Sequence, residues 1–278
     1  MRLSGISRWA LGIWSALVVG FLILPLGVVI LFAFDASNVQ TFPITHWTTH
    51  WFSVAWNDPD VRSAFWLSIK AGVLATLLAL VLGTMVAFGI HRFRFFGRES
   101  VSLLLVLPIA LPGIVTGLAL QSAFNLAQIQ FSLYTIVIGH ATFCIVVVFN
   151  NAVARLRRTS TSLIEASSDL GASPIQTFRL VTFPMIRTAL ISGALLAFAL
   201  SFDEVIVTTF TAGAQNTLPL WIFGAIRLGQ QLPEVNAVVV FVLLLMSIPL
   251  LIAAKLTGGE RVLGTVRGKS TVLLPAGE

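Results

Sequence analysis

The apolar residues of this chain are gathered into six runs, each long enough to cross a lipid bilayer. A hydrocarbon core of roughly 30 Å needs about 20 consecutive apolar helical residues at 1.5 Å rise. The first run extends from Trp9 to Phe34, and the others fall at approximately 63–90, 100–120, 132–151, 188–210 and 236–257. The expected fold is therefore an all-α membrane protein with six transmembrane helices. Arg2 and Arg8 before the first run give it the flank of a signal peptide, but the run is longer than the roughly 7–15 residues of such a segment. It reads as an uncleaved first transmembrane helix.

Composition agrees. Hydrophobic residues make up 57% of the 278, charged residues only 10%, and mean hydropathy is +0.95. A soluble domain is usually about 25% charged. The net charge of +6 does not call for a nucleic-acid partner, because the basic residues sort by segment. With a cytoplasmic N-terminus, the inner segments hold Arg2, Arg8, Arg92, Arg94, Arg98, Arg155, Arg157, Arg158, Arg179, Arg187, Lys255, Arg261, Arg267 and Lys269, and the outer segments only Arg62 and Arg227. The positive-inside rule then places both termini in the cytoplasm. The expected organisation is a first helix and outer segment over 1–62, a core of five helices over 63–257 with a cytoplasmic loop at 152–187, and a cytoplasmic tail at 258–278.

The runs carry marks of helix packing. Ala71, Ala75, Ala79, Gly83 and Ala87 repeat every four residues, a stripe of small side chains that lets another backbone approach. In "LPIALPGIVTG", Pro108 and Pro112 each remove a backbone hydrogen bond at membrane depth, which is tolerated against protein or a wet cavity. This span is a candidate wall of a pathway, or simply a kinked structural helix. His46 and His50 are spaced to share a helix face, but without nearby ligands to complete a metal set they read, with Trp47, Trp51 and Trp56, as an interfacial belt. His140 reads as a hydrogen-bonded packing residue and the single cysteine, Cys144, as packing.

The loop 152–187 is built from capping signals. Ser162 with Glu165 three residues on reads as a capping box, Gly171 suits the C-terminal cap, and Ser173-Pro174 starts a second helix. The expected shape is helix, sharp turn, helix outside the membrane. Capping alone accounts for Glu165.

The same stretch, "EASSDLGASPIQTFRLVTFP", resembles the EAA loop of bacterial ABC importer permeases. The motif positions fall on Glu165, Ala166, Ser167, Gly171, Val181, Phe183 and Pro184, with Ser167, Val181 and Phe183 replacing the usual alanine, isoleucine and leucine. The segments "WLSIKAGVLATLLALVLGT", "LPIALPGIVTGLAL", "LSFDEVIVTTFTAG", "TLPLWIF" and "LPEVNA" extend the similarity over most of 60–255, most closely to the second membrane subunit of spermidine/putrescine-type importers. The resemblance implies a type I, MetI-like permease fold in the bacterial inner membrane. It also implies docking of the loop, through Glu165, Ala166, Ser167, Gly171 and Pro184, into a separate ATPase. The implied partners are a second permease in a heterodimer, two ATP-binding subunits and a periplasmic or lipid-anchored binding protein. ATP and magnesium would belong to the ATPase, with no cofactor on this chain.

The chain's own residues agree with that division. "GTVRGKST" lacks one position of a phosphate-binding P-loop and has no strand before it, and no nucleophile or zinc-protease motif occurs. What asks for an explanation is Asp203 beside Glu204 inside the fifth run. A charge there costs at least about 2.5 kcal/mol on insertion scales. Consecutive residues of a helix point about 100° apart, so either the helix unwinds or the two carboxylates have different tasks. Lys70 lies at a similar depth on the second run, and an ion pair with it would offset the burial of both partners. Alternatively, a carboxylate lines a route for a cation such as a polyamine, with Pro108 and Pro112 on the same route. A secondary carrier or channel, a permease for another substrate, or an assembly protein without transport remain as rival readings.

Overall fold

The computed structural model describes residues 5–93, 95–229 and 232–267. Its helices are α1 (Gly5–Phe32), α2 (His50–Asn57), α3 (Pro59–Arg92), α4 (Arg98–Ala110), α5 (Gly113–Leu126) and α6 (Leu133–Arg157). The second half adds α7 (Thr161–Asp169), α8 (Pro174–Thr177), a π-helical turn at Phe178–Thr182, α9 (Phe183–Phe202), α10 (Ile206–Thr211), α11 (Leu218–Leu228) and α12 (Leu232–Arg267). No strand occurs among the described residues, whose one β pairing is an isolated Asp35–Trp47 bridge. Among the described residues, four segments are long and apolar enough to span a membrane: Trp9–Phe32, Pro59–Arg92, Leu133–Arg157 and Pro174–Phe202. The pair α4 and α5 makes a fifth if counted as one broken span. The sixth run falls in α12, whose fully described part includes the apolar stretch Leu232–Ile248. That helix continues to Arg267, so the first part of the expected tail is helical, and residues 268–278 lie outside the described residues.

Contacts divide the chain into two units, one holding residues 1–65 and 220–245 and the other 66–219 and 246–278. In the first, α1 is apolar all round and its most apolar window has no buried residue, the pattern of a helix facing lipid or another subunit. The Trp51 indole donates to the Asp35 carbonyl at 2.8 Å, while Phe52 and Trp56 stand edge-on to Phe241. No group of three metal-binding side chains forms among the described residues.

In the second unit the small-residue stripe is buried along its whole length, and from Ala79 to Ala87 it packs against α6 and α9. Gly83 is its tightest point. A Cβ added there would lie 2.9 Å from the Ile145 carbonyl oxygen and 3.1 Å from the Val148 Cβ, so a methyl group has no room between the α3 and α6 backbones. Ala79 packs with Cys144, Val148 and Ala197, and Ala87 with Phe149, Ala152 and Ile186, which makes α6 the centre of this core. Cys144 is buried there as expected, its thiol donating to the Ala197 carbonyl at 3.3 Å.

Two runs depart from straight helices. The third bends by 104° where α4 gives way to α5. The cause is local: Leu111 precedes a proline and is held extended at φ −81°, ψ 145°, and Pro112, which cannot donate, becomes the N-cap of α5. Pro108 stays inside α4. The fifth run begins earlier than its hydropathy suggests, since Pro174–Phe202 is one 29-residue stretch, about 43 Å long. Its π-helical turn lies just before Pro184. A proline ring would collide with the carbonyl four residues back in a tight helix, and the wider turn, closed by the Phe183 N–H on the Phe178 carbonyl, removes the conflict.

Candidate transport route and coupling loop

The loop 152–187 forms the expected helix, turn and helix, with one correction. The N-cap of α7 is Ser160, whose hydroxyl accepts from the Ser162 N–H, so Ser162 and Glu165 do not form the capping box. Four hydroxyl residues stand in succession from Thr159 to Ser162, and the second, Ser160, takes the position. Glu165 is left exposed, without a capping task. Downstream the capping signals hold. Gly171 has φ +78°, the Gly171 N–H bonds to the Ser168 carbonyl and the Ala172 N–H to the Ser167 carbonyl, completing a Schellman turn. Ser173 and Gln176 exchange the two bonds of a capping box around Pro174. The Ser167 hydroxyl lies 2.9 Å from that of Thr177 and ties α7 to α8.

Around this turn the surface is apolar where solvent would favour charge. Leu170, Ile175 and Leu180 are at least 71% exposed, beside exposed Ala166. Exposed apolar side chains within one short stretch of chain make it a candidate docking surface. A cavity of about 540 Å³ lies beside it, lined by Glu165, Ser168 and Thr177 together with His91 and Arg92 of α3. The hydropathy pattern, which weighs whole runs, passed over these isolated exposed side chains.

At the other end of the Pro174–Phe202 helix stand the two carboxylates. The helix ends at Phe202, and Asp203, Glu204 and Val205 lie between α9 and α10. Val205, the last residue of the break, opens a run of five β-branched residues whose other four, Ile206 to Thr209, are nonetheless helical in α10. Unwinding separates the carboxylates. Glu204 is half-buried and its Oε1 accepts the Val207 N–H at 2.9 Å, capping α10. Asp203 is exposed, its backbone N–H closing the last turn of α9 on the Ala199 carbonyl and its side chain bonded to no described residue. Lys70 is also exposed, and no ion pair joins it to either carboxylate.

The break in the fifth run lies next to the break in the third. Gly113, directly after Pro112, stands so close to Ile206 that a Cβ there would be 3.5 Å from its side chain, and a Cβ on Gly117 would overlap the Phe210 ring. Two glycines of α5 thus seat α10. The contact between Gly113 and Ile206 joins residues directly after the two breaks, and Pro108, inside α4, lies one turn before the first break. From the other side His140 of α6 reaches across, with Nδ1 2.7 Å from the Ser201 hydroxyl and Nε2 2.8 Å from the Thr208 hydroxyl. The sequence reading of His140 as a hydrogen-bonded residue is met, and its partners lie on opposite sides of the break.

A bundle with interrupted apolar helices and an exposed, capped helical turn at one end has the architecture of the membrane subunit of an ABC importer. Comparison with known proteins makes the assignment. A family model described as the binding-protein-dependent transport system inner membrane component matches residues 77–257, and the chain belongs to that family. It is 35% identical over 231 residues to the putrescine transport system permease protein PotI of Escherichia coli strain K12, covering 80% of this chain and 82% of that one. It is 31% identical over 264 residues to the spermidine/putrescine transport system permease protein PotC of the same strain, covering 93% and 97%. Among solved structures, the inward-facing MetNI methionine ABC transporter matches with a TM-score of 0.63 at 16% identity, covering 74% of this chain and 97% of that one. A bacterial ABC transporter that imports the acidic polysaccharide alginate matches with a TM-score of 0.60 at 18% identity, covering 98% and 100%. The fold is therefore that of the MetI-like permeases, and the chain is a transport subunit of an ABC importer, as its relatives are.

Proposed function

We propose that the chain is one of two permease subunits through which a small organic cation, a polyamine such as putrescine or spermidine, crosses the bacterial inner membrane. In this reading six helices span the bilayer with both termini in the cytoplasm, and a binding protein delivers the substrate from outside. Two ATPase subunits, which carry the ATP and magnesium, dock at Glu165, Ala166, Ser167 and Gly171. The observation that carries the proposal is the placement of the acidic break and the coupling loop at opposite ends of a single helical stretch, Pro174–Phe202. A rigid-body shift of the docked turn would pass along that helix, through the π-helical turn before Pro184, to the residues beside the route.

At the break the two carboxylates take different tasks. Glu204 holds the start of α10, and Asp203 offers an unpaired negative charge to a passing ammonium group. A polyamine sheds hydration on entering, and fixed carboxylates offset part of that cost while disfavouring anions. Lys70, free of both, is left as a positive charge on α3 rather than an ion-pair partner. The relatives' transport of putrescine and spermidine supports the same substrate class. Rocking of the two permeases about a route walled by the broken third and fifth spans would supply alternating access.

The test is isolation of the complex from native membranes. An ATPase and a second permease should accompany this chain, and reconstituted vesicles should take up labelled putrescine or spermidine only with ATP and binding protein. Uptake driven by an ion gradient without ATP would favour a secondary carrier instead.

A further inference from the structure

The fifth span loses its helical hydrogen bonds between Phe202 and Ile206, yet its two parts are held in register from α6. The donors can be followed atom by atom. The Thr208 hydroxyl has one proton and donates it to the Glu204 carbonyl at 2.6 Å. Towards His140 Nε2, 2.8 Å away, Thr208 can then only accept, so the ring carries its proton on Nε2. In the neutral ring Nδ1 is a bare acceptor, and the Ser201 hydroxyl donates to it at 2.7 Å. The result is a directed chain of three hydrogen bonds from Ser201, in the last turn of α9, through His140 and Thr208 to the backbone of Glu204. All three side chains in it are buried. Gly139 makes the reach possible, since a Cβ there would stand 3.1 Å from Val207 and 3.3 Å from Thr211.

We propose that His140 is a positioning residue for transport, fixing the Glu204 backbone across the break and with it the direction in which the adjacent Asp203 side chain faces the route. This rests on the assignment of Asp203 to the route. A buried histidine that only packs would need its volume filled. The positioning role needs both ring nitrogens and the Thr208 hydroxyl, and it should show in coupling rather than in assembly.

The complete transporter, reconstituted with its binding protein, distinguishes the two. Thr208→Val keeps the side-chain shape and removes the relay, whereas Thr208→Ser keeps the hydroxyl. We expect Thr208→Val and His140→Ala each to lower putrescine uptake per ATP hydrolysed by about tenfold, the size of one well-made buried hydrogen bond, with assembled complex and ATPase activity retained. Thr208→Ser should recover most of the loss, and Thr208→Val in the His140→Ala background should add little, because both act on one chain. Uptake per ATP at the wild-type value in Thr208→Val and His140→Ala, while Asp203→Asn fails, overturns the positioning role and leaves the route standing. Loss of assembled complex in proportion to uptake also overturns it, making His140 a packing residue. Normal uptake in Asp203→Asn removes the route itself, and this inference with it.

Discussion

Gly171→Ala isolates the contribution of the coupling turn more cleanly than any charge change. Gly171 sits at φ +78°, and nothing lies within 4 Å of a Cβ added there, so the substitution brings no clash. What remains is the cost of placing an L side chain in left-handed backbone, about 1–2 kcal/mol. The two backbone bonds of the Schellman turn, Gly171 to Ser168 and Ala172 to Ser167, depend on that conformation. The ratio of formed to opened turn should therefore fall about 5- to 30-fold, and ATPase docking that needs the formed turn should weaken by up to the same factor. Gly171→Asn is the control, because asparagine tolerates this region better than alanine. The assay is equilibrium binding of the isolated ATPase to the detergent-solubilised permease pair, followed by uptake per ATP in vesicles. The expected order is glycine, then asparagine, then alanine. Alanine equal to glycine, or asparagine below alanine, would refute the claim that the left-handed turn presents the docking surface.

Other parts of the fold give separate tests. Gly83→Ala puts a methyl group 2.9 Å from the Ile145 carbonyl oxygen, where backbone faces backbone and cannot yield as a side chain would. A loss of about 1–3 kcal/mol is expected, seen as a lower midpoint in thermal unfolding of the purified permease pair. An unchanged midpoint would contradict the close approach of α3 to α6. Ser167→Ala restores the residue usual in the loop motif but removes the 2.9 Å contact with Thr177. That should cost about 1 kcal/mol and loosen α7 from α8, read as faster amide hydrogen exchange in the loop with the membrane helices unaffected.

The features that could be read in the sequence are those set by neighbours in the chain. The apolar runs, the stripe from Ala71 to Ala87 and the Gly171 turn each depend on a few adjacent or regularly spaced residues. The break at Pro112 was visible for the same reason, since a proline acts on its own i−4 carbonyl and on the residue before it. The break at Asp203 was half visible. Two adjacent carboxylates raised the question, but an apolar run looks the same to hydropathy whether its helix is continuous or broken. What stayed hidden was the meeting of distant groups. Ser201 and Thr208 reach His140 across 61 and 68 positions, and Ile206 finds Gly113 only because α5 and α10 pack together. No spacing rule encodes those distances. The Lys70 pairing shows the same gap from the other side, because equal depth on two helices does not fix the faces they turn to each other.

The central claim is that Asp203 supplies the charge along the route while Glu204 holds the backbone. Putrescine uptake by vesicles carrying Asp203→Asn, beside Glu204→Gln at equal amounts of assembled complex, measures it directly. The Gln variant keeps an oxygen to accept the Val207 N–H. The account predicts that Asp203→Asn abolishes uptake and Glu204→Gln, though impaired, retains measurable transport. Normal uptake in Asp203→Asn would contradict it.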